Sequence, residues 1–174
     1  MREGRGLILL NTGNGKGKTT AAIGVAFRAL GHGLRVGMLQ FIKGKWKTGE
    51  RKLGEHTAGL TWLTMGRGFT WESEDLERDR EAARTAWQTA QHWLTSEEFD
   101  LVIFDEITYP VNYGFIAVED VTRALQDRRA GLHVILTGRA APPELIAVAD
   151  LVTDMHPLKH PYQDGVRAQK GVEF

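Results

Sequence analysis

The 174-residue sequence contains no cysteine. That absence removes disulfides, thiolate nucleophiles, cysteine-built zinc sites and dithiol redox chemistry together, and it fits a reducing compartment. A surplus of either charge is missing too. Lys+Arg and Asp+Glu both number 22, for a formal net charge of zero. A dedicated nucleic-acid binder usually carries a basic surplus, so that class loses weight. Long apolar runs are lacking as well. The longest are of strand length, far short of the roughly 20 residues that a spanning helix needs. The opening Met-Arg-Glu-Gly-Arg-Gly has no signal-peptide core. The expectation is a soluble, cytoplasmic protein with no membrane partner. Histidine gives no metal pattern either: His156 and His160 are four apart, but Pro157 and Pro161 argue against the helix that would align them.

What is present is ordinary globular material, 42% hydrophobic and 25% charged. A chain of this length buries a core without staples and suits one domain, residues 1–174. Short apolar runs alternate with helical patterns. Strands are expected at 7–10, 35–42, 60–65, 101–104, 133–137 and 151–155, and helices at 18–30, 73–94, 118–126 and 142–149. In the long helix, Leu76, Ala83, Trp87, Ala90 and Leu94 share one face. The tail from His156 is read as irregular. Continuous apolar strands alternating with helices indicate a three-layer α/β domain with a mostly parallel sheet covered on both faces.

The strongest motif is Thr12-Gly13-Asn14-Gly15-Lys16-Gly17-Lys18-Thr19-Thr20. It follows a strand and opens a helix, where a phosphate loop must sit. Its glycines let the backbone turn N–H groups toward anionic oxygens, and the helix N-terminus adds partial positive charge. Lys18 is placed to reach across phosphates, and the Thr19 hydroxyl to meet magnesium. One position departs from the Gly-x-x-x-x-Gly-Lys-Ser/Thr pattern: Thr12 stands where the first glycine is usual. A second element supports the first. Leu101-Val102-Ile103-Phe104 runs into Asp105-Glu106, an apolar strand ending in two carboxylates. In P-loop proteins such a strand delivers an acid to the magnesium. The fold class is therefore P-loop NTPase, RecA-like, with ATP and Mg2+ as ligands.

Further segments narrow the class. The loop from Gly13 to Thr20 resembles that of the P-loop ATP:cob(I)alamin adenosyltransferases, or corrinoid adenosyltransferases. So do Val-Gly-Met-Leu-Gln-Phe-Ile-Lys-Gly at 36–44, Gly68-Phe69-Thr70-Trp71-Glu72, Asp105-Glu106-Ile107-Thr108-Tyr109, Thr137-Gly138-Arg139, and the tail from Lys159-His160-Pro161-Tyr162 through Gly165 to Gly171. The resemblance runs from about Gly6 to Phe174 in family order. It implies transfer of the 5′-deoxyadenosyl group of ATP to Co(I) of a corrinoid, cobalamin or a precursor, with release of inorganic triphosphate. It implies that Thr12 to Thr20 hold the triphosphate, that Thr19 and Glu106 hold Mg2+, and that Arg28 and Arg139 are further nucleotide contacts. Phe69 and Trp71 match the pair that packs beside the corrin ring. The resemblance also implies a homodimer and an external reductant such as reduced flavin or flavodoxin. Some members carry a longer segment before the first strand that covers a neighbouring subunit's corrinoid. About five residues precede it here, which leaves lid-like coverage open.

Read from the residues alone, Arg28 is equally a solvated helix charge. Arg139 follows a strand's carboxyl end, the crevice where such sheets bind ligands. Two other functions compete. A RecA-like ATPase or small-molecule kinase would use Glu106 to orient a water or would need a base near an acceptor. A single-strand-binding ATPase would use the basic run Lys43, Lys45, Trp46, Lys47, Arg51 and Lys52. A product assay separates the first, and salt-dependent DNA binding the second.

Overall fold

The computed structural model describes residues 5–42, 48–65 and 76–173. Strands β1 (Ile8–Thr12), β2 (Val36–Gln40), β3 (Leu60–Thr64), β4 (Leu101–Asp105), β5 (His133–Thr137) and β6 (Leu151–Asp154) form one sheet in the order β3-β2-β4-β5-β1-β6. Every pairing is parallel. The strands read as apolar runs because both faces of the sheet are covered. Alternation along β4 shows the division. Leu101 and Ile103 join Val36, Met38 and Ile135 beneath Ala22, Ala26 and Ala29 of helix α1 (Lys18–Gly31). Val102 and Phe104 face the other way with Leu10, Leu39 and Leu136. That second face is covered by α3 (Leu76–Thr95), α5 (Val118–Gln126) and α6 (Pro143–Val148).

The expected α/β class and its parallel sheet are thus present. On α3, Ala83, Trp87, Ala90 and Leu94 are buried as the periodicity requires, but Leu76, its first residue, is 61% exposed. Ala86 and Trp93 complete the buried face instead. Two short helices, α2 (Gly49–Gly54) and α4 (Thr108–Asn112), escape the sequence pattern because five or six residues are too few to display a 3.6-residue period. In α4, Pro110 falls in the first turn, where its missing N–H has no intrahelical acceptor to lose. The tail, read as irregular, contains one 3-10 turn, Pro161–Asp164.

What positions the site is the register. Gln40 pairs with Asp105 across β2 and β4 and with Thr64 across β2 and β3. Asn11 pairs with Thr137, and Thr12 with Asp154. Apolar strand bodies therefore end in a row of polar residues along the carboxyl edge of the sheet, where open α/β sheets bind ligands.

Candidate active site

The phosphate loop leaves β1 at Thr12 and enters α1 at Lys18. Gly17 caps the helix at φ 112°, a left-handed conformation that a side chain would strain. No side chain caps α1, and its first turn carries no acid. The orphan N–H groups and the positive end of the helix are left for an anion. Lys18 is buried, at 6% exposure. Its Nζ donates to the carbonyls of Gly13, at 2.9 Å, and Gly15, at 2.7 Å. Burial draws its ammonium below the usual lysine range, and the Arg139 charge adds to this, while Glu106, Asp105 and Asp154 oppose it. Those five side chains therefore share one electrostatic site.

The loop is braced from β6. Met155 N–H donates to the Thr12 carbonyl at 2.9 Å, and Gly15 N–H donates to the Met155 carbonyl at 2.6 Å. The approach is so close that a Cβ on Gly15 would stand 2.7 Å from that oxygen. Lys16, exposed on the loop, pairs with Glu173 of the tail. Asn14 and Thr20 are exposed around the same loop.

Opposite the loop, Asp105 and Glu106 divide the acidic work. Asp105 is buried with its carboxylate fully engaged. Its Oδ1 accepts from Thr19 Oγ1 at 2.8 Å and from Thr137 Oγ1 at 2.7 Å, and its Oδ2 accepts from Gln40 Nε2 at 3.1 Å. Gln40 is fixed in turn, because its Oε1 accepts from Trp62 Nε1 and Thr64 Oγ1. Glu106 turns away from the strand at φ 61°, held by its N–H to Thr137 Oγ1 at 2.9 Å. A non-glycine residue in this region is strained, and such strain gathers at functional sites. Glu106 Oε2 is enclosed and, among the described residues, has no hydrogen-bond partner. Burial, with the Asp105 charge, pushes its carboxyl up to about 7, against the pull of Lys18 and Arg139.

The predicted site residues fall into three groups. Thr12 to Thr19, Glu106 and Arg139 converge on the carboxyl edge, with Thr20 exposed beside them in the first turn of α1; Arg139 is exposed, but its charge is felt by Lys18, Glu106 and Tyr109. Arg28 does not join them within one chain. It is exposed in the last turn of α1. That is ten residues past Lys18, or about 15 Å along the axis. There its charge complements the helix's negative end. Phe69 and Trp71 lie outside the described residues. Sequence reasoning missed Thr137 and Gln40 as orienting groups, Asp105 as the partner of Thr19, and the Met155 brace. The available signal was positional: Gln40 and Thr137 are polar residues closing apolar runs at the carboxyl ends of parallel strands.

A phosphate loop after β1, an acidic turn after β4 and a cation after β5 define a P-loop nucleotide-binding protein. The structure resembles that of the flagellar accessory protein FlaH from Methanocaldococcus jannaschii, with a TM-score of 0.55, 12% identity and coverage of 87% of this chain and 71% of that one; this likeness speaks for the fold. The sequence goes further. The family ATP:corrinoid adenosyltransferase BtuR/CobO/CobP matches over residues 4–174. A corrinoid adenosyltransferase of Escherichia coli K12 is 44% identical over 173 residues, covering 99% of this chain and 88% of that relative. One from a Sinorhizobium species is 46% identical, covering 98% and 81%. The chain belongs to the ATP:corrinoid adenosyltransferase family.

Proposed function

We propose that this site transfers the 5′-deoxyadenosyl group of ATP to the cobalt of a corrinoid, in the making or salvage of adenosylcobalamin. The Co(I) corrinoid substrate supplies the nucleophile. Its electron pair attacks the 5′ carbon, the cobalt–carbon bond forms, and the carbon–oxygen bond to the triphosphate breaks. The protein then needs no serine, cysteine or general base of its own. Its work is to hold the 5′ carbon in line with cobalt and to stabilise charge gathering on the leaving triphosphate. The observation that carries this reading is a phosphate loop with Lys18 and Arg139 in one electrostatic site, within a chain of this family.

The residues fit a magnesium ion. Thr19 gives its hydroxyl proton to Asp105, which leaves the oxygen's lone pairs free for a cation. Glu106 Oε2 is an enclosed oxygen without a donor among the described residues. Magnesium takes one or two protein oxygens and completes its shell with phosphates and water. Thr19 and Glu106 would hold it, with Asp105 orienting Thr19. When bound, it would neutralise charge on the triphosphate. Lys18 would leave the Gly13 and Gly15 carbonyls for phosphate oxygens, and the α1 N-terminus would receive the rest of the anion.

Phe69 and Trp71 are proposed to pack against the lower corrin face, excluding axial ligands so that Co(II) is reduced more easily. With no cysteine in the chain, electrons come from outside, from reduced flavin or flavodoxin. A homodimer and a cytoplasmic location belong to the same proposal; among the described residues no helix is long and apolar enough to cross a membrane. The test is anaerobic incubation with ATP, magnesium and chemically reduced cob(I)alamin. Inorganic triphosphate and a photolabile adenosylcorrinoid are expected. Release of ADP and phosphate with no adenosylcorrinoid would overturn the reading and favour an ATPase or kinase.

A further inference from the structure

Thr12 occupies the position where the phosphate-loop pattern has glycine. It is buried, at 6% exposure, and its side chain is engaged: Oγ1 accepts the backbone N–H of Ala141 at 3.2 Å. That bond crosses from the phosphate-loop strand to the turn after β5. The same turn is held from its other side by α4. Asn112 Nδ2 donates to the Ala140 carbonyl at 3.1 Å and the Arg139 carbonyl at 3.4 Å.

The turn needs holding. Ala140 has φ 48°, in the left-handed region. That conformation is unfavourable for a non-glycine residue, and it persists only where its surroundings impose it. Gly138, at φ 144°, is packed so closely on Thr108 that a Cβ would collide with the hydroxyl. Between Gly138 and Ala140 stands Arg139, whose exposed side chain reaches the electrostatic field of Lys18 and Glu106. A flexible arginine on a free loop would recover the left-handed strain by relaxing, and would spend little of its time over the phosphate loop. Here the backbone at Ala140 and Ala141 is tied to the strand that begins that loop.

We propose that Thr12 and Asn112 are positioning residues that clamp the strained Arg139–Ala140 turn, so that Arg139 and the phosphate loop grip the triphosphate as one fixed pair. The threonine in the glycine position is then a device for registering the arginine against the loop. The proposal rests on Arg139 contacting the nucleotide, and the experiment separates the two claims.

Dissociation constants for a non-reacting ATP analogue and for inorganic triphosphate are measured by calorimetry, together with kcat and KM. The variants are T12V, T12S, N112A and R139A, and the doubles T12V/R139A and N112A/R139A. T12V keeps the shape and removes the acceptor, and Asn112 is exposed, so neither change threatens the core; thermal midpoints check this. Each should weaken analogue binding by about 5–12-fold, the upper part of the range one hydrogen bond commands, with T12S close to the parent. In the R139A background neither should change affinity by more than about twofold, because groups acting through a shared partner are not additive. Equal losses with and without Arg139 would overturn the clamp, as would unchanged binding in T12V and N112A while R139A binds weakly. If R139A itself binds normally, the Arg139 reading fails and the clamp with it.

Discussion

The carboxyl ends of β4 and β6 both bring an acidic residue against the phosphate loop, yet their surroundings differ. At β4, Asp105 is buried with three donors on its two oxygens, and Glu106 is strained with an enclosed oxygen left bare. At β6 all four strand residues are exposed, and the Asp154 carboxylate lies between His156, at 3.3 Å, and the backbone of Gly13. The grip on the loop there comes from the Met155 backbone, which both accepts from and donates to it. One end is built from side-chain chemistry and the other from main-chain bracing. A central strand excludes water and makes charge expensive, so its carboxylates are arranged for a purpose; an edge strand leaves its carboxylate solvated and lends shape.

The largest break in this contrast should come at Lys18, which feels both ends. Lys18→Ala removes a preorganised cation from the leaving triphosphate, and turnover should fall by about 10²–10³-fold, as when a preorganised donor is lost elsewhere. Retention of near-parent turnover at low magnesium would refute the phosphate-site assignment.

Glu106→Gln should separate stability from function. The carboxyl sits at about 7 in the folded protein against an ordinary 4.5. The folded state therefore binds this proton more tightly than the unfolded one. The stabilisation is complete below pH 4.5 and is lost as pH rises to about 7, to a total of roughly 3 kcal/mol at 1.36 kcal/mol per unit. Without nucleotide or magnesium, the glutamine variant should melt higher than the parent at pH 8 and alike at pH 5. Its magnesium requirement in turnover should weaken, and in the parent that requirement should sharpen from pH 6 to 8 as the carboxylate forms. A variant melting lower than the parent at pH 8 would mean that Glu106 is paired rather than waiting.

The brace at β6 gives the next effect. Gly15→Ala places a methyl group 2.7 Å from the Met155 carbonyl, which is backbone and yields little. A stability loss of about 1–3 kcal/mol is expected, as for other overpacked sites, with weaker analogue binding. A silent substitution would show that β6 does not brace the loop.

These two strand ends were unequally legible. Asp105-Glu106 announces itself, because two acids after four apolar residues are conspicuous, and the loop's Gly-Lys-Thr fixes Lys18 and Thr19. The division of labour between the acids was not written there. It depends on Gln40, which reaches Asp105 only through the β2–β4 register, and on Thr137, which comes from 32 residues further along. Met155 was invisible for a related reason: it acts through its main chain, and any residue type offers the same N–H and carbonyl. Helix α5 and strand β5 are legible at their true bounds, Val118–Gln126 and His133–Thr137, because α5 carries a helical period and β5 is a continuous apolar run closed by Gly138. Arg28 is left open by the sequence, a nucleotide contact by resemblance and a solvated helix charge by its residues alone, and its place in the last turn of α1 sets it apart from the phosphate loop within one chain.

The smallest effect should come from Asp154, and its sign matters more than its size. Gly13 is packed so closely on Asp154 that a Cβ would collide with its carboxylate. The Asp154 charge reaches Lys18. A negative charge beside the phosphate loop opposes a triphosphate. Its side chain is 52% exposed, however, so water screens it and the interaction falls in the range of about 0–1 kcal/mol for surface charges. Asp154→Asn keeps the shape and removes the charge. Analogue binding should tighten by less than about fivefold at low salt, and the gain should shrink as added salt shortens the screening length to roughly 10 Å at 0.1 M and below. Folding should be unaffected, because the brace runs through the Met155 backbone. A tenfold weakening would instead place Asp154 among the groups that hold the nucleotide or its cation, and β6 would then contribute chemistry as β4 does.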